Sequence, residues 1–464
     1  MSVAPDAARV LAVTRVVPVP PPPAGSLAGR HHENLSFLDA PWVATPPVQQ
    51  VFLYELAGGH EFPALVRRLK ESLAATLALY LPLAGKLAYA AETGDVVIDC
   101  SDAGVDFFEA EAEGDVTNAP AFVTLLPEHD ARVLPAPVMR VQATLVGVRG
   151  DSGAGLALGV SLHHAIADGH GMALFMGSWA SACRGGSPVL TSLGPPEHSR
   201  VAVAHVHPDG EALARQVLKK VAPDLPVATV AEGYLSHRSR LAGQMFSLDA
   251  DHVRLLKRRI DDLASRSAAT ATSNKPVSTF VALSALCWTS FVKAKGLAAG
   301  DDTHLVFQVD LRARLRPPVG VGYSGNCVRG CHASADAGEL LGETGLLHAS
   351  MAVQAAVAEV VTAPFAQLGN WIERVGRLPP SRVAIVGGSP LFRVYNFSDF
   401  GFGTPRRVEP LSMAGSPWLQ TQHDAAGSGS GSGNGEGTIV LCGGKRDGDV
   451  QVSVSLDPKR AQAL

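Results

Sequence analysis

One stretch decides the fold: Leu156-Ala-Leu-Gly-Val-Ser-Leu-His-His-Ala-Ile-Ala-Asp-Gly-His-Gly-Met172. Apolar residues alternate along its first half, which predicts a β-strand with one buried face. Beyond a break at Gly171, apolar residues recur at helical spacing: Met172, Phe175, Met176, Trp179 and Cys183. The stretch therefore predicts a buried strand, a short polar loop and a packed helix. Loops held between rigid elements often carry the chemistry of a protein.

The loop contains the pattern His-x-x-x-Asp-Gly, formed by His164, Asp168 and Gly169. An imidazole can take a proton from a hydroxyl group, and a nearby carboxylate can hold the imidazole's surroundings in place. A loop histidine followed by a helix-capping aspartate would give the same pattern without any chemistry. We interpret His163 as structural, because neighbouring side chains on a strand point in different directions.

Composition narrows the class of protein. The 464 residues are 46% apolar and 18% charged, with a formal net charge of −4. Such a chain is long enough for two cores of about 200 residues each. The negative charge argues against nucleic acid as a partner, and no run of about 20 apolar residues predicts a membrane span. The N-terminus has no secretory signal pattern, and six scattered cysteines without zinc spacing suggest reduced thiols, no metal and a cytoplasmic location.

Strand and helix patterns alternate along the rest of the chain, which predicts an α/β (α+β) protein. Leucines at positions 65, 69, 73 and 77 predict the buried stripe of a helix that begins near Pro63. We also expect a strand over Phe122–Leu125, a helix over Glu339–Val361 and a flexible surface loop over Gly427–Gly437. Clusters of turn residues suggest two domains, 1–190 and 227–464, joined by a crossover at 191–226.

A second motif lies far along the chain: Tyr395-Asn-Phe-Ser-Asp399-Phe-Gly401-Phe-Gly403. Together with the loop motif it resembles the plant BAHD acyltransferases, whose marks are His-x-x-x-Asp-Gly and Asp-Phe-Gly-Trp-Gly. Phe402 stands where the family usually has tryptophan. The resemblance extends to Tyr80-Leu-Pro-Leu-Ala-Gly-Lys86 and Val309-Asp-Leu-Arg-Ala-Arg314, and it covers nearly the whole chain.

Two further segments resemble one branch of that family. Tyr323-Ser-Gly-Asn-Cys327 is similar to the Tyr-Phe-Gly-Asn-Cys mark of members that acylate glycosides of anthocyanins and other phenolics, with Ser324 in place of phenylalanine. Gly388-Ser-Pro390 resembles the malonyl-transferring members. The resemblance therefore implies transfer of malonyl from malonyl-coenzyme A to a sugar hydroxyl of a phenolic glucoside.

The family also implies a fold and a set of roles. It implies two chloramphenicol-acetyltransferase-like domains with mixed sheets, a channel at their interface and a coenzyme A thioester as co-substrate, with no permanently bound cofactor. We expect a monomer with small-molecule substrates. His164 would be the general base, and Asp168 would turn away from the channel and pair with Arg312, or failing that with Arg314. The donor that stabilises the oxyanion is not identified by the sequence.

Several residues receive structural or binding roles. Gly169 is expected to adopt a backbone conformation that a side chain would resist, and Asp399, Gly401 and Gly403 to be structural. Ser278 and Thr279 begin a helix whose N-terminal amides can bind phosphate, and by resemblance they lie near the coenzyme A entrance. The candidate cation for a malonyl carboxylate is Arg393, followed by Arg406, Arg407 and Lys445. Lys257–Arg259 reads as a solvated helix face.

Three other functions stay open at this point. The same fold could use an aromatic donor such as a hydroxycinnamoyl thioester. Peptide-synthetase condensation domains also carry His-His-x-x-x-Asp-Gly, although the Asp399–Gly403 motif argues against that class. The chain could also be a catalytically silent binding module of the same fold, which an intact His164 and Asp168 make a poorer explanation.

Overall fold

A computed structural model describes residues 8–20, 32–56, 61–113, 122–147, 155–190, 194–228, 242–266, 276–412 and 436–457. The chain divides into two compact units. The first consists of Met1–Val230, Arg316–Cys327 and Val394–Ala414, and the second of Ala231–Leu315, Val328–Arg393 and Gly415–Leu464. Most of the segment Gly427–Gly437, interpreted above as a surface loop, lies outside the described residues.

The first unit is built on two sheets. The larger sheet has six strands, in the spatial order β1 (Arg9–Val16), β6 (Val105–Ala112), β8 (Met139–Val146), β9 (Gly155–Leu162), β3 (Val48–Glu55) and β14 (Arg407–Ser412). The smaller sheet has the order β2 (His32–Asn34), β5 (Asp95–Asp99), β4 (Lys86–Ala90) and β7 (Ala136–Pro137). All neighbours pair antiparallel except β6 and β8, which are parallel.

Five helices of this unit are described: α1 (Phe62–Leu77), α2 (Gly169–Cys183), α3 (Val201–Ala204), α4 (Gly210–Val221) and α10 (Val394–Phe397). The leucine stripe of α1 and the apolar stripe of α2 are both buried, as their spacing predicts. The two helices pack together, and the indole Nε1 of Trp179 donates to the backbone oxygen of Leu69 at 3.1 Å.

The segment 191–226, which the sequence suggested as a crossover, falls within this first unit. It contains α3 and α4, and α4 packs on the short 3-10 helix Ala40–Trp42 and on β5. Arg215 on α4 forms an ion pair of 3.0 Å with Asp95. The described part of the segment, residues 194–226, therefore packs against other elements of the first unit.

Strand β9 is buried on both faces, whereas the alternation of its leucines predicted one buried face. The second face carries small residues, Gly155, Ala157, Gly159 and Ser161, which leave room for other chain to approach. A Cβ on Gly159 would lie 2.1 Å from the backbone oxygen of Leu125. The expected strand Phe122–Leu125 is in fact the 3-10 helix that covers this face. Four residues are too few for a periodicity to distinguish the two structures.

The second unit has one six-stranded sheet in the order β10 (Ala242–Leu248), β16 (Val450–Leu456), β15 (Thr438–Gly443), β13 (Val383–Gly388), β11 (Asp302–Asp310) and β12 (Val328–Asp336). β13 is parallel to both of its neighbours, and the other pairs are antiparallel, so the sheet is mixed. Its described helices are α5 (Ala250–Arg266), α6 (Thr279–Lys295), α7 (Ala337–Leu341), α8 (Gly345–Thr362) and α9 (Trp371–Gly376). Together, the two units give the α/β class with mixed sheets that the sequence predicted.

The helix expected over Glu339–Val361 is broken into α7 and α8. Gly342 has extended backbone where α7 ends, and a Cβ on Gly345 would lie 2.0 Å from the backbone oxygen of Leu340. Among the described residues one helix, α8, is long enough and apolar enough to cross a membrane, judged by length and composition alone. It packs on α6 and β12 of its own unit, and buried core helices have the same composition.

Candidate active site

The loop motif occupies the junction between the buried strand β9 and the helix α2. β9 ends at Leu162, the two histidines follow, and α2 begins at Gly169. His163 is completely buried, whereas the side chain of His164 is only half-buried. The end of the strand thus places the imidazole of His163 in the core and leaves that of His164 partly accessible.

The ring of His164 lies face to face with the indole of Trp42. Their centroids are 3.8 Å apart and their planes differ by 9°. Burial lowers the pKa of His164 below the ordinary value of 6.5, an effect that its own backbone carbonyl and the Asp168 carboxylate only partly offset. A histidine with a lowered pKa is neutral at pH 7, which is the protonation state that a general base requires.

Asp168 is the N-cap of α2. Its Oδ1 accepts hydrogen bonds from the backbone N–H groups of His170 at 3.1 Å and Gly171 at 3.0 Å, and its Oδ2 accepts from the N–H of Cys327 at 2.9 Å. A carboxylate at this position satisfies helix donors that have no partner within the helix. The pattern His-x-x-x-Asp-Gly therefore includes a helix-capping aspartate, the structural alternative considered for it above.

Glycine is required at the start of α2, but not at the position that the motif suggested. Gly169 is the first helical residue, and helical backbone is open to any side chain. The backbone freedom expected of Gly169 is therefore not used there. At Gly171, by contrast, a Cβ would lie 2.0 Å from the backbone oxygen of Ser324. Position 171 therefore requires glycine, because two backbones approach each other closely there.

His163 has a structural environment. Its Nδ1 accepts a hydrogen bond from the N–H of Ala165 at 3.2 Å, and burial lowers its pKa to about 3. Nearby, His129 lies 2.8 Å from the Ser161 hydroxyl through Nδ1 and 2.8 Å from the Pro137 carbonyl through Nε2. Burial lowers the pKa of His129 to about 4. Both imidazoles are uncharged parts of the core at neutral pH.

A buried polar network holds the loop from the other side. Asp39 is completely buried, and its carboxylate accepts hydrogen bonds from the Ser36 hydroxyl at 2.6 Å and from the Asn326 amide Nδ2 at 2.9 Å. The same Nδ2 donates to the backbone oxygen of His164 at 2.9 Å. Arg200 donates to the Ile166 oxygen at 2.6 Å and lies 3.4 Å from Asp39. Both ends of the 164–166 turn are thereby fixed.

The Asp-Phe-Gly-Phe-Gly motif forms a tight turn before β14. The Asp399 carboxylate accepts from the N–H of Gly401 at 2.8 Å, and Gly401 and Gly403 have φ angles of +89° and +99°, a region that favours glycine. The carbonyl oxygens of Asp399 and Phe400 accept hydrogen bonds from Arg184 and Arg68, the latter at 2.8 Å. Phe400 is completely buried and meets Trp179 edge to face. These contacts are those of a structural turn.

Four of the remaining candidates lie in the second unit: Ser278, Thr279, Arg312 and Arg393. The Ser278 hydroxyl accepts from the N–H of Val281 at 3.2 Å as the cap of α6, of which Thr279 is the first residue. Arg312 is buried, and its backbone N–H donates to Asp310 at 2.8 Å. Arg393 is exposed and forms an ion pair with Asp447. The roles towards coenzyme A, Asp168 and the acyl group that the sequence suggested for these residues stay predictions. Within the described ranges, no group of three or more metal-ligating side chains could hold a metal ion.

Sequence reasoning missed the contribution of Trp42, Asp39 and Arg200. The segment Leu35–Trp42 is mostly apolar, and its one acidic residue, Asp39, is a signal that could have been used. A carboxylate in such a setting is expected to be paired or hydrogen-bonded. Its partners Arg200 and Asn326 are distant in sequence, so no local pattern connects them.

The chain was compared with known proteins. The model of the Transferase family matches residues 22–416. The chain is 30% identical over 431 residues to phenolic glucoside malonyltransferase 1 of Bemisia tabaci, covering 88% of this chain and 89% of that protein. It is 27% identical over 429 residues to coumaroyl-CoA:anthocyanidin 3-O-glucoside-6''-O-coumaroyltransferase 2 of Arabidopsis thaliana, covering 84% and 86%.

Among solved structures, the crystal structure of vinorine synthase matches with a TM-score of 0.69 and 18% identity, covering 98% of this chain and 96% of the other. This likeness concerns the fold. The family model, by contrast, spans most of the chain and includes both motifs. The chain therefore belongs to the Transferase family, the BAHD acyltransferases, and is an acyl-coenzyme A-dependent acyltransferase.

Proposed function

We propose that this acyltransferase moves a malonyl group from malonyl-coenzyme A to a sugar hydroxyl of a phenolic glucoside such as an anthocyanin. The observation that carries the catalytic part is the accessible imidazole of His164 at the end of a buried strand, beside a fully buried His163. The choice of substrates is supported by the Tyr323–Cys327 and Gly388–Pro390 segments and by the malonyltransferase relative described above.

In the proposed reaction His164 acts through Nε2, because its Nδ1 is buried. The acceptor hydroxyl gives its proton to Nε2 as its oxygen attacks the thioester carbonyl carbon. The carbon–sulfur bond then breaks, and the imidazolium returns the proton to the departing thiolate of coenzyme A. No acyl-enzyme is needed, because holding both substrates together already supplies much of the rate acceleration.

The malonyl carboxylate needs a cation or several hydrogen-bond donors when it leaves water. Three arginines suggested by the sequence already have acidic neighbours: Arg393 pairs with Asp447, Arg406 with Glu55, and Arg407 with Glu409. The pairs of Arg393 and Arg406 are exposed and therefore weak, so a bound carboxylate can displace their acidic partners at little cost, whereas the Glu409 partner of Arg407 is buried. Arg393 remains our first candidate for this contact.

A second candidate donor is a hydroxycinnamoyl thioester, favoured by the similarity to the coumaroyltransferase. The two donors differ in chemistry: coumaroyl brings an aromatic ring, and malonyl brings a charge. We also propose that the protein acts as a monomer in the cytoplasm, a location consistent with the absence of a disulfide among the six cysteines, all of which lie in described residues.

A panel of malonyl-, acetyl- and coumaroyl-coenzyme A against flavonoid glucosides, read by mass spectrometry, tests the substrates. We expect malonyl-coenzyme A to give the highest kcat/KM, and we expect Arg393→Met to weaken malonyl use while sparing acetyl use. A preference for coumaroyl-coenzyme A would reject the malonyl proposal. If malonyl is preferred and Arg393→Met changes nothing, the donor is right and the residue is wrong, and Lys445 becomes the next variant.

His164→Ala should lower kcat by about 10²–10⁴-fold, the usual contribution of a general base. The melting temperature should stay close to that of the wild type, because the side chain is half-buried and its Nδ1 makes no hydrogen bond of normal geometry to the described residues. His170→Ala is a matched control. His170 lies on the first turn of α2, and its imidazole contacts the Val321 carbonyl rather than the site proposed for the substrate. Equal activity of His164→Ala and the wild type would remove His164 from the mechanism.

A further inference from the structure

The inner nitrogen of the His164 imidazole, Nδ1, is buried and makes no hydrogen bond of normal geometry among the described residues. The residue's own backbone carbonyl and the Asn326 side chain are close enough to offset part of the fall in its pKa that burial causes, but neither fixes the plane of the ring. The carboxylate that follows in the motif is engaged elsewhere, because Asp168 accepts the backbone N–H groups of His170, Gly171 and Cys327. An imidazole free to rotate would spend only part of its time with Nε2 directed at a substrate.

Trp42 makes a packing contact with one face of the His164 ring. Its indole covers one face of the imidazole at 3.8 Å with nearly parallel planes, and only 4% of Trp42 is exposed. A stacked ring restricts rotation about the side-chain torsions of the histidine, since any tilt would drive one ring into the other. It also removes water from that face, in keeping with the lowered pKa of His164.

The two stacked rings are tied to each other through one amide group. Asn326 Nδ2 donates to the carboxylate of Asp39, three residues before Trp42, and to the backbone oxygen of His164, both at 2.9 Å. Asp39 itself closes the turn through the N–H of Ser36 at 2.9 Å. The backbones that carry the two rings therefore cannot shift independently.

We propose that Trp42 is a positioning residue that sets the ring plane of His164 and thereby the direction of Nε2, in a role that a carboxylate or carbonyl partner of Nδ1 often has in other histidine sites. The inference rests on the proposed role of His164 as general base. Trp42 itself need not contact a substrate. Asn326 contributes to the same positioning, because its side-chain amide hydrogen-bonds to both of the segments that carry the rings.

The test compares Trp42→Met, which keeps apolar bulk but no ring, with Trp42→Phe, which keeps a ring that can stack. We expect Trp42→Met to lower kcat by about 10- to 100-fold with little change in KM for either substrate, since small misplacements of catalytic groups cost up to about 10²-fold. Trp42→Phe should retain most of the activity. A folded Trp42→Met with wild-type kcat would overturn the proposal.

A second arm separates positioning from other causes. In a His164→Ala background, Trp42→Met should have no further effect on the residual rate, because the group being positioned is gone. An equal loss in both backgrounds would show that Trp42 acts independently of His164 and would reject the inference. A fully active His164→Ala would instead reject the proposed function, so the two failures are distinguishable.

The pH profile gives a readout that a purely structural role would not change. Removing the indole admits water to the imidazole, so the pKa of His164 should rise towards 6.5 and the acid limb of kcat/KM should move to higher pH. If Trp42→Met does not fold, a measurement on the wild type still tests the proposal. Its 13C-labelled histidine spectrum should contain an imidazole signal shifted upfield by the indole ring and absent in His164→Ala. Lack of such a signal would overturn the proposal.

Discussion

At the scale of single residues, Asp168 shows how one side chain connects the loop to its surroundings. Its two oxygens accept three backbone N–H groups, two from the first turn of α2 and one from Cys327. Only 3% of the residue is exposed, so water cannot replace these bonds. Asp168 therefore shapes the loop that carries His164, and its pairing with Arg312 stays a prediction.

Replacing Asp168 should reduce both stability and rate, unlike replacing His164. Asp168→Ala removes a helix cap, at a cost of about 0.5–2 kcal/mol, and leaves the buried N–H of Cys327 without its acceptor, at about 1–3 kcal/mol more. Asp168→Asn keeps one carbonyl oxygen and should lie between Ala and the wild type. Thermal unfolding measures the difference. An unchanged melting temperature together with a large loss of rate would make Asp168 a catalytic partner instead.

At the scale of elements, the start of α2 is fixed by a close approach of two backbones. A Cβ at position 171 would meet the Ser324 oxygen at 2.0 Å, and backbone atoms cannot move aside as a flexible side chain can. One helical turn and a half later, Gly177 has more room, because a Cβ there would lie 3.6 Å from side-chain atoms of Leu190 and Phe397. The helix can therefore accept a side chain at position 177 but not at position 171.

Gly171→Ala and Gly177→Ala form a matched pair. We expect Gly171→Ala to lower the melting temperature and kcat together, because the helix start must shift and the loop before it carries His164. Gly177→Ala should be neutral or stabilising by up to about 1 kcal/mol, since alanine is the better helix former. Circular dichroism melts and steady-state rates of both variants are the measurements. Equal effects of the two substitutions would contradict the argument from the close approach.

At the scale of the whole molecule, several histidines are kept uncharged by burial. Burial lowers the pKa of His163 to about 3, and those of His129, His198 and His332 to about 4. In the unfolded chain each would return to an ordinary value near 6.5. Below that pH the unfolded state binds protons that the folded state does not, so stability falls as the pH falls.

The free energy of unfolding should therefore decrease between about pH 6.5 and pH 4. Urea midpoints measured at several pH values over this range test the prediction. His198→Gln should be less stable at pH 7, because it disturbs the contacts with Ser324 and Leu79, but its stability should depend less steeply on pH. A wild-type midpoint that stays constant down to pH 4.5 would show that these histidines are protonated in the folded state.

Long amphipathic segments could be predicted from the sequence alone. Helices α1 and α2 bury the stripes that their spacing indicated. Short segments could not be predicted in this way. Phe122–Leu125 is a 3-10 helix whose backbone at Leu125 lies directly against Gly159 of β9, a contact that its own four residues do not reveal. The break between α7 and α8 likewise depends on a close backbone contact.

The sequence by itself determined the α/β class, the junction of strand and helix that carries His164, and the family of the chain, because these depend on periodicity and on motifs within short segments. The tertiary structure alone decided what surrounds His164. Trp42, Asp39 and Asn326 lie in segments up to 287 residues apart, yet their hydrogen bonds and stacked rings set the position of one imidazole. Such contacts leave no periodic trace in a sequence, because packing forces act between neighbours in space.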